Sequence, residues 1–188
     1  MAVNFLSQVN SQTSVKGFTL IELVVGMVVL SIALVMLSTM LFPQADRAAE
    51  TLHRVRSAEL AHSVLNEIWG KRYDQNTNAN GGIPACGAAA NVLLALPAGV
   101  ACTSVANLGA DGEARDNYND VDDYNGLDQT YTMFNSTVTY ATQYINYLLS
   151  VNVVYLNPSA NLNSKLITIA VTTPNGEVIT YNAIRSNY

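Results

Sequence analysis

Three sets of side chains could do chemistry. The first is one carboxylate, Glu22, the only formal charge between Phe18 and Phe42. An ionised side chain in mid-membrane costs roughly 3 kcal/mol or more, and less near a helix end. Glu22 is therefore either a tolerated acid in an anchor or an acid kept to meet a partner charge. The second set is Cys86 and Cys102, the only cysteines. On the outer side of a membrane anchor two cysteines most simply form one disulfide. The closed loop would hold residues 92–96 and contribute about 3 kcal/mol in the chain-entropy picture. A zinc site needs more ligands than two thiols with no His nearby. The third set is the acidic tract Asp116-Asn117-Tyr118-Asn119-Asp120-Val121-Asp122-Asp123-Tyr124-Asn125-Gly126-Leu127-Asp128. Hard cations take several oxygen ligands, so calcium is the one cofactor to weigh, with Asp120, Asp122 and Asp123 as its candidate ligands. The tract lacks the glycine offset and the final Glu of an EF-hand loop. Its plain reading is a solvated loop whose Asx side chains bond their own backbone. His53 and His62 share no metal spacing. No nucleophile–base pair, phosphate loop or metal cluster is legible, so an enzyme is not expected.

These groups sit on elements of different kinds. The apolar run ending at Phe42 is long enough to cross a bilayer as a helix, since about 20 apolar residues suffice. Gly26, Ser31, Ser38 and Thr39 lie inside it. Small residues let helices approach closely, and hydroxyls can bond across them. Pro43 cannot donate to the carbonyl of Thr39, so a bend is expected around 39–43 with the helix resuming beyond. From Gln44 to about Trp69, Leu52, Val55, Ala58, Ala61, Leu65 and Ile68 recur at helical steps and mark one face. Glu50 and Arg54 can pair across one turn. Gly70, followed by Lys71 and Arg72, is the expected stop, and Trp69 is expected to cap the core beneath the helix.

Residues 73–129 read as a long irregular region, opened by turn formers from Asp74 to Gly82. The remainder reads as β. Strands are expected at Thr130–Tyr140, Tyr147–Tyr155, Lys165–Thr173 and Glu177–Ile184. Pro174-Asn175-Gly176 is a hairpin turn signal. Ile167, Ile169 and Val171 alternate with Thr168, Ala170 and Thr172, as a half-buried strand requires. One layer of antiparallel sheet on one helix follows, an α+β head.

The octet Lys16-Gly17-Phe18-Thr19-Leu20-Ile21-Glu22-Leu23, placed ahead of a spanning run, resembles the class III signal of type IV pilins and of type II secretion pseudopilins. The resemblance implies that a prepilin peptidase cuts after Gly17 and that Phe18 becomes an N-methylated amino terminus. It makes Glu22 the assembly acid, and it implies a long amino-terminal helix whose second half packs on an antiparallel sheet. Its parts would be a cleaved leader at 1–17, a transmembrane and assembly helix at 18–43, an amphipathic half at 44–72 and an extracytoplasmic head at 73–188. Partners would be other pilin subunits, the processing peptidase and methyltransferase, and an inner-membrane assembly platform. The head would be periplasmic before assembly and at the cell surface afterwards.

The 188 residues, less a helix that cannot join a soluble core, leave room for one modest domain. Removing residues 1–17 takes away one positive charge, Lys16, and moves the net charge from −5 to −6. An acidic chain without a basic run gives no argument for nucleic-acid binding. Lys16 lies on one side of the run and Arg47, Arg54 and Arg56 on the other, so charge alone does not orient it. A minor pilin of a type IV pilus is the first functional expectation. A secretion pseudopilin and a tip adhesin whose head binds a surface ligand are the alternatives.

Overall fold

A computed structural model describes residues 17–80 and 82–187. The expected leader, apart from Gly17, lies outside the described residues. The chain divides into two compact units, one ending at Arg47 and one beginning at Ala48.

Helix α1 spans Leu20–Trp69, 50 residues. Thr19 starts it. Its carbonyl accepts the Leu23 N–H at 3.2 Å, and its hydroxyl accepts the Glu22 N–H at 3.3 Å. These bonds satisfy two of the donors that a helix start leaves open. The backbone stays helical through Pro43, so the proline does not end the helix. In the first unit every described side chain from Phe18 to Leu41 is exposed, and the helix is long and apolar enough to cross a membrane.

The second unit is a helix on a sheet. Strands β1 (Leu148–Tyr155), β2 (Ser164–Thr172) and β3 (Val178–Ser186) form an antiparallel meander in that order. Val151 faces Ile169, which faces Tyr181. The period of two sends Leu149, Val151 and Val153 from β1 and Ile167, Ile169 and Val171 from β2 to the inner face. They meet Leu60, Ala61, Val64, Leu65 and Ile68 of α1. Tyr118, Val121, Tyr124, Leu127, Tyr140, Tyr144 and Tyr147 close the same core from the long connection. The β2–β3 turn forms at the Asn-Gly signal: Gly176 has φ +86°, and its N–H bonds the Thr173 carbonyl at 2.9 Å.

Four sequence expectations need correction. Leu52 and Val55 are exposed, while Leu60 and Val64 take the buried face. The reason is phase. Ser57, Leu60, Ala61, Val64, Leu65 and Ile68 share the inward face at about 100° per residue, and Leu52 and Val55 fall on the opposite side, although their neighbours His53 and Arg54 reach Tyr147 and Glu177 at 3.1 and 2.9 Å. Trp69 does not cap the core; it is 41% exposed, with the Arg185 guanidinium 5.4 Å over its ring. Residues 130–140 form no strand. Asn135 turns the chain with φ +53°, and the Met133 N–H already closes onto the Val138 carbonyl at 2.8 Å. The turn leaves room for one bridge, Thr132 to Thr139, before the short helix α2 (Tyr140–Gln143), capped by Thr139, begins. The acidic tract is not solvated: Asp120, Asp122 and Asp123 are buried.

Cys86 and Cys102 are joined by a disulfide, with Cα atoms 4.9 Å apart. Inside the loop, Asn91 and Leu96 exchange backbone hydrogen bonds of 3.0 and 2.9 Å. The small hairpin holds Val92 and Leu93 out in solvent, Leu93 at 97% exposure.

Candidate functional site: an apolar helix start and a buried charge cluster

Gly17 and Phe18 precede α1 without regular secondary structure, and Phe18 is 85% exposed. Glu22 lies in the first helical turn. There the unpaired N–H groups carry partial positive charge, which favours a carboxylate. The helix thus supplies part of a counter-charge for Glu22 but no formal one. The hydroxyls of Ser31, Ser38 and Thr39 donate to carbonyls of their own helix, Met27, Leu34 and Met36, at 2.7, 2.8 and 2.8 Å. Their protons are therefore spent within the helix. What remains for a neighbour is a close-approach surface and the carboxylate.

The head holds the opposite arrangement. Lys165 occupies an inward position of β2, in phase with Ile167, Ile169 and Val171, and is 0% exposed. Its Nζ donates to the Tyr73 carbonyl at 2.8 Å, to Asp74 Oδ2 at 3.2 Å and to Asp122 Oδ1. The rings of Tyr73 and Tyr155 lie 4.6 and 5.3 Å from it. Asp74 is richly supplied. It accepts from the Asn76 N–H at 3.0 Å, the Thr103 N–H at 3.0 Å, the Thr103 hydroxyl at 3.1 Å and the Tyr155 hydroxyl at 3.3 Å. Burial pushes its carboxyl up, but the Lys165 charge and the backbone donors outweigh it and hold Asp74 below the usual carboxylate range.

Asp120, Asp122 and Asp123 come together as a turn around their own backbone. Asp120 Oδ1 accepts from the N–H groups of Asp122 and Asp123 at 3.1 and 3.2 Å. Asp123 Oδ2 accepts from Asn119 and Asp120 at 2.7 and 3.0 Å. Asp120 Oδ2 and Asp122 Oδ2 are buried without a donor. Burial, then the charges of Asp122 and Asp123, push Asp120 up to about 8. Burial also raises Asp122, against the pull of Lys165, and raises Asp123, against its backbone donors. As a calcium set, the three residues offer few free oxygens, where that ion takes about six to eight. Lys165 already supplies the cation at Asp122.

A second buried pair lies beside the core. Arg115 clasps Glu67 of α1 through two bonds of 2.6 and 2.7 Å and donates to the Thr132 carbonyl at 3.1 Å and the Tyr140 hydroxyl at 3.2 Å. The Tyr124 hydroxyl adds a bond to Glu67 at 2.6 Å. A buried pair with this many bonds fixes the connection against the helix.

Sequence reading singled out Gly17, Phe18, Glu22, Cys86, Cys102 and the acidic tract, of which the structure joins Cys86 to Cys102 and buries the three aspartates, and it missed Lys165, Asp74, Glu67 and Arg115 as members of networks. One signal was available for Lys165: a lysine in the inward phase of an alternating strand must find buried acceptors. Nothing comparable marks Asp74, which is one turn former among many in its segment.

Residues 13–38 match the family described as Prokaryotic N-terminal methylation motif. The chain carries that motif, its Gly17, Phe18 and Glu22 fall inside the match, and its helix on a three-stranded sheet is a pilin-like architecture. No curated protein and no solved structure matches the chain.

Proposed function

We propose that the chain is a type IV pilin subunit, cut after Gly17 by a prepilin peptidase, N-methylated at Phe18 and drawn from the inner membrane into a filament. The observation that carries the reading is the methylation motif running directly into an exposed apolar helix whose first turn holds one carboxylate. An apolar surface of that length needs lipid first and other helices later. Beside the amino terminus of a neighbouring subunit, Glu22 gains a charge-assisted partner, and the pairing sets the axial stagger. The head, with its own core and disulfide, is suited to the extracytoplasmic side, where disulfides persist. Three short phrases, residues 41–44, 120–126 and 171–177, resemble minor pilins of the mannose-sensitive haemagglutinin type, and we assign the subunit to that role, in or at the tip of the filament.

Mass spectrometry of the mature protein tests the reading. The expected chain starts at N-methyl-Phe18 and is recovered from sheared filaments. A mature protein starting at Met1 in wild-type cells overturns it. Recovery of the processed chain only from the membrane, never from sheared filaments, favours the secretion pseudopilin instead.

A further inference from the structure

We propose that the head carries an intramolecular amide bond between Lys165 Nζ and Asp122 Cγ, formed with the help of the Asp120 carboxyl group. Amine and acid are in contact, and neither side chain reaches solvent. The Tyr73 carbonyl and Asp74 hold the nitrogen from other sides, and the Tyr73 and Tyr155 rings close off water. Reacting groups fixed in this way gain effective molarities of about 10⁵ M or more. A dry site also favours amide over hydrolysis, because condensation replaces a buried cation and anion with a neutral group.

The choice between the two carboxylates at Lys165 follows from their partners. Asp74 is saturated with donors and held ionised, which makes it a poor electrophile. Asp122 has a buried oxygen with no donor, and so does Asp120. Asp120 stands beside Asp122, accepting its N–H through Oδ1 at 3.1 Å, and burial together with the Asp122 charge pushes Asp120 up to about 8, so that it holds a proton near neutral pH. A protonated acid beside a fixed amine is the reactive state.

The balance is as follows. The Lys165 ammonium gives one proton to the Asp122 carboxylate, leaving neutral amine and neutral acid. The nitrogen lone pair forms the bond to Cγ. Asp120 hands its proton to the departing Asp122 oxygen, the C–O bond breaks and water leaves. The nitrogen returns its surplus proton to Asp120, which ends as it began. One ammonium and one carboxylate become one amide and one water, without oxidant or cofactor.

The test is the intact mass of the processed full-length chain, purified in detergent, then reduced, alkylated and denatured. The expected mass is one water below that of residues 18–188 with one N-methyl group and two alkylated cysteines. Trypsin leaves the bond after Lys165 uncut, and a branched peptide joins the Asp122 and Lys165 segments. Lys165→Met and Asp122→Ala each return to the full mass of their own sequence. Asp120→Asn, with the Cys86–Cys102 disulfide formed, does so too. A wild-type chain at full mass, cut after Lys165, overturns the proposal. So does a water deficit that survives Lys165→Met, as ring closure at Asp111-Gly112 would give. An unchanged deficit in Asp120→Asn removes the role given to Asp120.

Discussion

The two ends of α1 treat charge in opposite ways. In its amino-terminal half a lone carboxylate stands on an apolar surface, and no side chain among the described residues offers it a formal counter-charge. At its carboxyl end Glu67 is clasped by Arg115, and just beyond the helix Asp74 meets Lys165. The head has completed its ion pairs within one chain; the apolar half has left its own open. The difference separates a part that completes its charges by folding from a part that, on the proposed function, completes them against a neighbour. Substitutions at the two ends should therefore fail in different assays, and the expected effects on head stability fall in order.

The largest is at Lys165. Lys165→Met removes the tie between β2 and the buried carboxyl groups, whether ion pair or amide, and leaves those carboxyl groups unpartnered, a loss of about 3–5 kcal/mol. Urea unfolding of the full chain in detergent, followed by the fluorescence of Trp69, the only tryptophan, reads it. A loss under about 1 kcal/mol, the scale of a surface pair, would show the cluster to be dispensable.

Removing the disulfide comes next. Cys86→Ser with Cys102→Ser frees a loop of 16-residue separation, worth about 3 kcal/mol in the chain-entropy picture. The cluster stays intact, so the core should remain folded at neutral pH and moderate temperature. An effect larger than that of Lys165→Met would reverse the ranking.

The third effect is a pH slope. The carboxyl of Asp120 binds its proton more tightly in the folded state, with a value near 8. Between about pH 4 and that value the folded chain holds a proton that the unfolded chain has released, so this group's contribution falls as pH rises. It is fully favourable below the ordinary carboxylate value and lost above the folded one. Asp74, held low, works in the opposite direction at acid pH. Asp120→Asn should flatten the decline between about pH 5 and 8. A decline of equal steepness in the variant would place its origin elsewhere.

The smallest effect is at Glu22. Glu22→Gln should leave the unfolding midpoint of the head unmoved, within about 0.5 kcal/mol. It should also leave cleavage after Gly17 intact and yet deplete the subunit from sheared filaments severalfold. Normal incorporation of the variant would remove the proposed pairing role and point to a tip subunit with no neighbour at that contact.

What could be read from the chain followed the range of each interaction. The β2–β3 hairpin was legible because its turn residues and alternating Ile167, Ile169 and Val171 are local. So was the apolar half of α1, whose composition is its structure. Thr130–Tyr140 has strand composition but no ladder partner, and the turn at Asn135 decides it. Leu52 and Val55 keep three-residue steps with Ala58 and Ala61, but such steps drift round the helix, and the two residues point away from the face that Ser57, Leu60 and Val64 bury. The acidic tract looked solvated because its cation, Lys165, lies on a distant strand; long-range pairing leaves no mark in local pattern.

The position of Lys165 also bears on mechanics. Within the second unit, which begins at Ala48, a pull along α1 is borne first by the packed helix face and the Glu67–Arg115 clasp, and beyond Trp69 it passes into the segment carrying Tyr73 and Asp74. Lys165 ties that segment to the middle strand of the sheet through the Tyr73 carbonyl and Asp74. The disulfide closes its own loop and lies off this path. The lysine is thus a shear pin inside the head, between the segment after α1 and the sheet, and oxidation state should matter little to the force the head withstands. Single-molecule pulling from the two ends of the head should show a lower rupture force in Lys165→Met and an almost unchanged one after reduction of the disulfide; equal forces for Lys165→Met and wild type would place the pin elsewhere.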